Sequence, residues 1–470
     1  MSPPFPVILD YTLHDLYKSD TEESLDILLV YYPLQFKHSD GNKAVKYTYG
    51  YNMEEEDDGA TSSLLTMAAS LVPQRYAFSA GRMPLVILNV PAHRESSNER
   101  GENIRALPAD SVPVYRHHHL DIHRTFEQLH PDQRPRVCFA NSPNRIELGL
   151  GTRIAVLQPT DCISHLPHLI CPDAHYEILS KRGLALSGLP TPQSRVIDTI
   201  LVDYEDHPSL LAKEIARVTG YIEQYQIPFM VKLPQSISGM GTFAVTCESD
   251  RTRVVKSLLP TRLEVLLREL NQTNRHLHPC SIVLQDFVDG PVVALSMFVT
   301  KTTGQPIFIA CCEQLFDNNA HWIGGTISYA QQTGLQKTFF TLMGKVAAFL
   351  HRKGYHGPAG IDIVTDRHSG EQFVIDLNAR VTGTYHLGPL RGHFFARRGL
   401  SVAAVTSGDF SCTRDEFEKT FSEEINQGSL MVSGWVHEES HTRSHAAITV
   451  GATDRGSLQE YLRRIKAVGK

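Results

Sequence analysis

The sequence predicts an α/β domain with a largely parallel sheet, followed by an α+β half whose last hairpin can gather oxygen ligands. Through about residue 170, short apolar runs alternate with helical segments, the pattern of strands joined by crossover helices. After residue 171, one strongly amphipathic helix over 208–224 and a glycine-containing loop separate short strands. From residue 282 the text is rich in strand formers and ends on GPAGIDIVTDRHSGEQFVIDLNAR at 357–380.

Composition narrows the function classes. A chain of 470 residues can bury a substantial core, and its length favours about two to four domains. A net charge of −6, with basic residues only in short clusters such as Arg397–Arg398 and Arg463–Arg464–Lys466, argues against a nucleic-acid partner. The opening MSPPFPVILDY lacks a secretory pattern and no run of 18 apolar residues occurs, so a cytoplasmic protein without a membrane partner is expected. Eight cysteines lie scattered without CxxC spacing, which fits small buried hydrophobes in a reducing compartment better than zinc sites or disulfides.

Within the first unit, Val7–Leu9, Ile27–Tyr31, Leu85–Val90 and Val137–Ala140 read as strands. The acidic run Glu54–Asp58 and the charged stretch 92–103 read as loops. The second unit is expected to open with a helix over 175–187, ended by GLPTP at 188–192, and a strand over 195–200. In the helix 208–224, Leu211, Ile215, Val218 and Ile222 recur every three or four residues. Strands at 229–233 and 243–246 flank the loop, and a helix covers 253–268. Strands at 282–287, 292–300 and 307–310 precede a helix over 338–351. Beyond about 400 we expect an acidic helix near 414–424, strands at 430–436 and 446–450, and a closing helix over 457–466.

The chemistry concentrates at two places. Asp376 and Asn378 stand two apart in an apolar run, so both side chains leave one face of a strand, and the turn DRHSG brings Asp362 alongside. Oxygen ligands of this kind suit magnesium, which is usually held by one or two carboxylates plus substrate phosphates. Lys232 ends the strand FMVK, just before QSISGMGT. The lysine can reach a phosphate while a loop of small residues turns its amides toward the same oxygens. This is not a Walker A loop, because the lysine precedes the glycines, and taken alone it also fits an ordinary hairpin with a surface lysine.

In order along the chain, GLPTP at 188–192, VKLPQSISGMGT at 231–242, LQDFVDG at 284–290, GPAGIDIV from 357 and VIDLNAR to 380 resemble the ATP-grasp superfamily, and within it carboxylate–amine ligases. The likeness covers about 172–400. It implies a pre-ATP-grasp-like α/β domain at 1–170, a first ATP-grasp subdomain with the glycine-rich loop at 171–278, a second subdomain with the metal site at 279–400, and a C-terminal extension at 401–470 that completes or caps the substrate side. It further implies ATP held between the subdomains by Lys232, by the loop carrying Ser238, Gly239, Met240 and Gly241, and by Gln285, Asp286, Phe287 and Val288 along the adenine edge. Asp289 is the nearest candidate for the ribose. Asp362, Asp376 and Asn378 fall on the metal positions for Mg2+, with Mn2+ as an alternative because Asp376 stands where many relatives carry glutamate. Arg380 matches an arginine that steadies the transferred phosphoryl group or acyl phosphate, a task suited to a planar fork of donors.

Departures from the pattern leave the upstream nucleotide contact open. Relatives often place a basic residue where this chain has Ala174, His175 or Tyr176, and Lys181 either substitutes or is a solvated helix lysine. CCEQLFDNNAHWIGGTISY at 311–329 reads as an excursion in which Glu313, Asn318, His321 and Trp322 line an acceptor pocket and Gly324–Gly325 permit a moving cover. A packed excursion anchored by Phe316 and Trp322 fits equally well. Thr382, Gly383 and Thr384 are candidates for a substrate carboxylate, whereas His386 reads as structural. The implied enzyme is a ligase that activates a carboxylate as an acyl phosphate and joins it to an amine, an amino acid or small metabolite, releasing ADP and phosphate. The partners are then small carboxylates and amines, and a homodimer is a family expectation. A phosphotransferase with another acceptor and a non-catalytic nucleotide-binding protein remain alternatives.

Overall fold

The computed structural model describes residues 6–21, 26–32, 44–49, 59–88, 118–140, 142–200, 202, 204, 207–236, 239, 241–317, 321–438 and 442–469, with only the backbone for 59–66. The acidic run Glu54–Asp58 and the stretch 92–103 lie outside the described residues.

Four parallel strands form the first sheet: β1 (Ile27–Tyr31), β2 (Pro84–Leu88), β3 (Arg136–Ala140) and β4 (Arg153–Val156), in the order β3-β2-β1-β4. All five residues of β1 are buried, as expected for a central strand covered on both faces. Helices α1 (Leu13–Asp20), α2 (Gly59–Ala77) and α3 (His118–Glu127) belong to this part. Thr12 and Asp15 close a reciprocal capping box at the start of α1, satisfying amides that the helix leaves open. The expected strand at Val7–Leu9 is only an isolated bridge from Val7 to Leu129.

The chain then forms α4 (Pro172–Leu179) and α5 (Lys181–Ala185), where one helix was predicted. Ser180 divides them: its backbone is extended, and its hydroxyl accepts the Gly183 amide as an N-cap. A four-stranded antiparallel sheet follows, β5 (Ser194–Ile197), β6 (Phe229–Lys232), β7 (Thr242–Val245) and β8 (Ile282–Asp286), in the order β5-β8-β6-β7. Its core is packed by α6 (Pro208–Gln224), by the helical turn over 254–258 that follows α7 (Glu248–Arg253), and by α8 (Leu259–Arg268). The predicted stripe of α6 is borne out, with Leu211, Val218 and Ile222 turned into that core beside Phe229 and Leu263.

The third sheet has eight antiparallel strands in the order β13-β12-β9-β10-β11-β14-β16-β15. They are β9 (Val292–Val299), β10 (Pro306–Phe316), β11 (Trp322–Ser328), β12 (Gly357–Thr365), β13 (Gln372–Asn378), β14 (Val402–Phe410), β15 (Leu430–Glu438) and β16 (Arg443–Ala452). Helix α9 (Gln332–Arg352) lays Leu342, Val346 and Leu350 on Leu295 and Ile361. The segment 311–329 is therefore no excursion but the pairing of β10 with β11. Gly324 serves close strand packing, since a Cβ there would lie 1.9 Å from the Val405 carbonyl oxygen on β14. β14, unpredicted because its second half is polar, carries the sheet onward to β16 and β15. Helices α10 (Arg414–Thr420), α11 (Ser422–Gln427) and α12 (Arg455–Val468) complete the chain. Among the described residues no helix is long and apolar enough to cross a membrane.

One apolar core runs from the parallel sheet into the eight-stranded sheet, joining Leu29, Leu85 and Phe126 with Phe298, Val405 and Tyr385. This continuity holds the first unit against the cleft described next.

Candidate active site

β6 ends on Lys232, which is paired with Thr242 on β7 and Val283 on β8 at the end of an interior strand, and its side chain reaches the larger sheet at Ile375. The loop after it is tied at its base, Leu233 donating to the Gly241 carbonyl at 2.8 Å. Gly239 and Gly241 have φ of +82° and +87°, a left-handed backbone that glycine adopts without steric cost. Ser238 and Met240 lie outside the described residues. The Lys232 ammonium donates to Gln285 Oε1 at 2.7 Å and to the Ile375 carbonyl at 2.8 Å, so one side chain links β6, β8 and β13.

On the opposite wall Asp362 of β12 pairs directly with Asp376 of β13, and Gly360 pairs with Asn378. Residues opposite each other in an antiparallel ladder project to the same side, so two carboxylates and an amide share one patch. Lys181, at the start of α5, forms an ion pair with Asp376 Oδ1. Arg380 is buried beside them and donates from Nη2 to Asn378 Oδ1 at 2.8 Å.

Crowded burial sets the charges. Burial, then the adjacent Asp376 carboxylate, pushes the Asp362 acid up to about 7, against the pull of the Gln314 amide and of Lys181 and Lys232. Burial also disfavours ionised Asp376, but Lys181, Lys232 and Arg380 outweigh it and hold that carboxyl below its ordinary range. Burial and the Lys181 charge push the Lys232 ammonium down to about 8.

These groups line a cleft of about 430 Å³ between the two sheets, a size suited to a small-molecule ligand. Lys181, Lys232, Gly239, Gln285, Asp286, Phe287, Val288, Asp289, Asp362, Asp376, Asn378 and Arg380 all meet there; Gly241 lies within the loop base behind them. Gln285 also donates to Ser194, and Asp286 accepts the Tyr225 hydroxyl at 2.8 Å. Phe287 is 42% exposed and projects apolar surface at the rim. Asp289 is tied to the turn of the β12–β13 hairpin, its carboxylate 3.4 Å from Arg367 Nε and its carbonyl accepting the Arg367 amide.

Of the two candidates for the upstream contact, Lys181 enters the cleft, whereas His175 is buried behind it and bonds the Ala379 carbonyl at 2.8 Å. From the proposed acceptor pocket, Trp322 lines the cleft; Glu313 instead pairs with Arg455 on α12, and His321 with Asp317. Asn318 lies outside the described residues. Thr382, Gly383 and Thr384 line the cleft, and His386 is buried against Thr449. Sequence reasoning missed Gln314, Ser296 and Tyr76, which line it as well. Their neighbours in the text carry no motif, and Tyr76 arrives on α2 from the first unit.

Residues 253–384 match the family model of the ATP-grasp domain. Among solved structures, N5-carboxyaminoimidazole synthetase from Staphylococcus aureus complexed with ADP aligns over 95% of this chain and 97% of its own, at 13% identity and a TM-score of 0.50. An L-amino acid ligase from Bacillus licheniformis aligns over 94% and 97%, at 11% identity and a TM-score of 0.46. Among curated protein sequences none matches. At such identity the structural likeness speaks for fold alone, and the family model adds its domain: this chain carries an ATP-grasp domain, set in the fold of the Staphylococcus synthetase.

Proposed function

We propose that the protein is an ATP-dependent ligase that activates a carboxylate as an acyl phosphate and joins it to an amine, releasing ADP and phosphate. The observation that carries this reading is the reach of Lys232 from the four-stranded sheet to the Ile375 carbonyl of the eight-stranded sheet, one residue from Asp376. A triphosphate in this cleft would meet cationic side chains on one wall and oxygen ligands for a cation on the other.

In this reading Lys232 and Lys181 contact the α- and β-phosphates, and the loop over 236–242 covers the polyphosphate. The backbone of 285–288 reads the adenine edge, Phe287 packs against the base, and Asp289 stands nearest the ribose. Asp362, Asp376 and the Asn378 amide oxygen would hold Mg2+, or Mn2+ in its place. The oxygen-only donor set suits a hard ion, and the burial and Asp376 repulsion that together raise Asp362 are costs a divalent cation would relieve. When bound, such an ion neutralises charge on the β- and γ-phosphates. The ion pair between Lys181 and Asp376 must then open or be shared.

A substrate carboxylate oxygen attacks the γ-phosphorus, the bond to the β-phosphate oxygen breaks, and ADP leaves. The amine nitrogen then attacks the acyl carbon, phosphate departs with the bonding electrons, and the nitrogen loses a proton to give an amide. Carboxylate oxygen is a poor leaving group and phosphate a good one, which is why ATP is consumed. Arg380 and Lys232 oppose the negative charge of the transferring group, and alignment supplies much of the rate. Closure of the loop over 236–242 keeps water from the acyl phosphate.

The test is incubation with ATP, magnesium and pools of organic and amino acids, with mass detection of products. A condensed product with ADP and phosphate is expected; AMP with pyrophosphate would contradict the mechanism.

A further inference from the structure

Three arginines are buried among the described residues: Arg75, Arg380 and Arg414. Arg414 meets Glu418 at 2.7 Å and Asp121 at 3.6 Å, and Arg380 is bonded to Asn378 near Asp376. Arg75, on α2, is 8% exposed and has no carboxylate partner among the described residues. Its guanidinium lies 5.0 Å from the ring centre of Trp322 and 5.2 Å from that of Tyr76, two residues that line the cleft. It also borders Gly383, where an added Cβ would come within 3.3 Å of Arg75 Cζ and 2.5 Å of the Trp322 ring.

The hydrogen bonding is one-sided. Nη1 donates to Ser407 Oγ at 2.9 Å, while Nε is buried with no partner. Nε and Nη2 form the edge of a guanidinium whose two N–H bonds run parallel, the geometry that grips a carboxylate with two bonds. Aromatic faces offset part of the cost of burying the charge, but they cannot satisfy an in-plane N–H.

We infer that Arg75 is a substrate-binding residue whose free edge takes a carboxylate that the reaction leaves untouched, so that the amine joined by this enzyme is an amino acid. Trp322 and Tyr76 hold the guanidinium in plane, and Gly383 leaves the room its neighbours need. This inference rests on the ligase reading above, deepens it by naming the acceptor class, and brings a residue of the first unit into the site.

The experiment compares melting temperatures of the full chain, with magnesium and a non-hydrolysable ATP analogue present, on adding each of the common amino acids or its carboxamide. At least one amino acid should stabilise the wild-type protein, with its carboxamide needing about tenfold or more concentration for the same shift, as loss of a charged bidentate contact demands. Arg75→Met, which keeps an apolar stem against Trp322, and Arg75→Lys, which keeps the charge without the fork, should both lose that difference. Stabilisation by no amino acid, equal shifts with the carboxamides, or discrimination surviving in a folded Arg75→Met protein each overturns the inference. Inorganic phosphate shifting the melting temperature through Arg75 where amino acids do not would overturn the carboxylate assignment. Should Arg75→Met fail to fold, the wild-type comparison and Arg75→Lys still decide. Because this readout needs no turnover, it separates failure here from failure of the ligase reading, which appears as no ADP formed with any pool.

Discussion

Asp376 sits among charges on every side: Lys181 on its Oδ1, Asp362 across the ladder, and Lys232 and Arg380 within electrostatic reach. On the proposed reading, Asp376→Ala removes a cation ligand and should lower turnover by more than about 10²-fold, measured as ADP release at saturating ATP. Near-wild-type turnover would remove Asp376 from the site. Lys232→Met should weaken ATP binding and leave Gln285 without the ammonium it accepts from, which equilibrium nucleotide binding would detect. Unchanged affinity would show that Lys232 serves only to tie β6 to β13. The place of these residues in the cleft was legible because they stand in short motifs, a lysine before a glycine loop and an acid and an amide spaced by two. Arg75 and Gln314 were not, since an arginine in a helix and a glutamine in a strand look alike in any context.

At the scale of elements, the eight-stranded sheet is the frame of the site. β12 and β13 bear the carboxylates, β10 and β11 bring Gln314 and Trp322, and β14 joins these to the C-terminal strands. The joint between β11 and β14 depends on Gly324, whose backbone lies against Val405. Gly324→Ala forces two strands apart and should destabilise the fold by about 1–3 kcal/mol, read from denaturant unfolding. If Gly324 instead served a mobile cover, alanine would change turnover and spare stability. Strong periodicity made α6 readable from its text, and an unbroken apolar run did the same for β1. Polar residues hid β11 and β14, because a strand satisfied by neighbours on both edges needs no alternating pattern of its own.

Across the whole molecule, buried polar groups tie distant parts together. Arg414 of α10 reaches Asp121 and Thr125 of α3, joining the last part of the chain to the first. Arg414→Met strands the buried Asp121 carboxylate and should cost about 3–5 kcal/mol of stability; a loss below about 1 kcal/mol in denaturant unfolding would show the network to be peripheral. Buried histidines give the fold an acid limit. Burial first, then neighbouring arginine charge, lowers His386 from an ordinary 6.5 to about 3 and His393 to about 4; burial likewise takes His175 to about 4. The unfolded chain gains protons below about 6.5 that the folded chain refuses, so their contribution is complete above that pH and falls away toward 4. The melting temperature should therefore drop steadily from pH 6.5 to 4, and a flat profile would show these rings to be solvated.

Local text was enough for the lysine loop, the acidic hairpin and the order of strand and helix that frames them, since each depends on neighbours a few residues away. Where Lys181 points, how β11 and β14 knit eight strands into one sheet, and how α2 sets Arg75 against Trp322 depend on contacts between residues far apart in the chain. Such contacts are set by burial and shape in the packed molecule, and a linear pattern holds no trace of them.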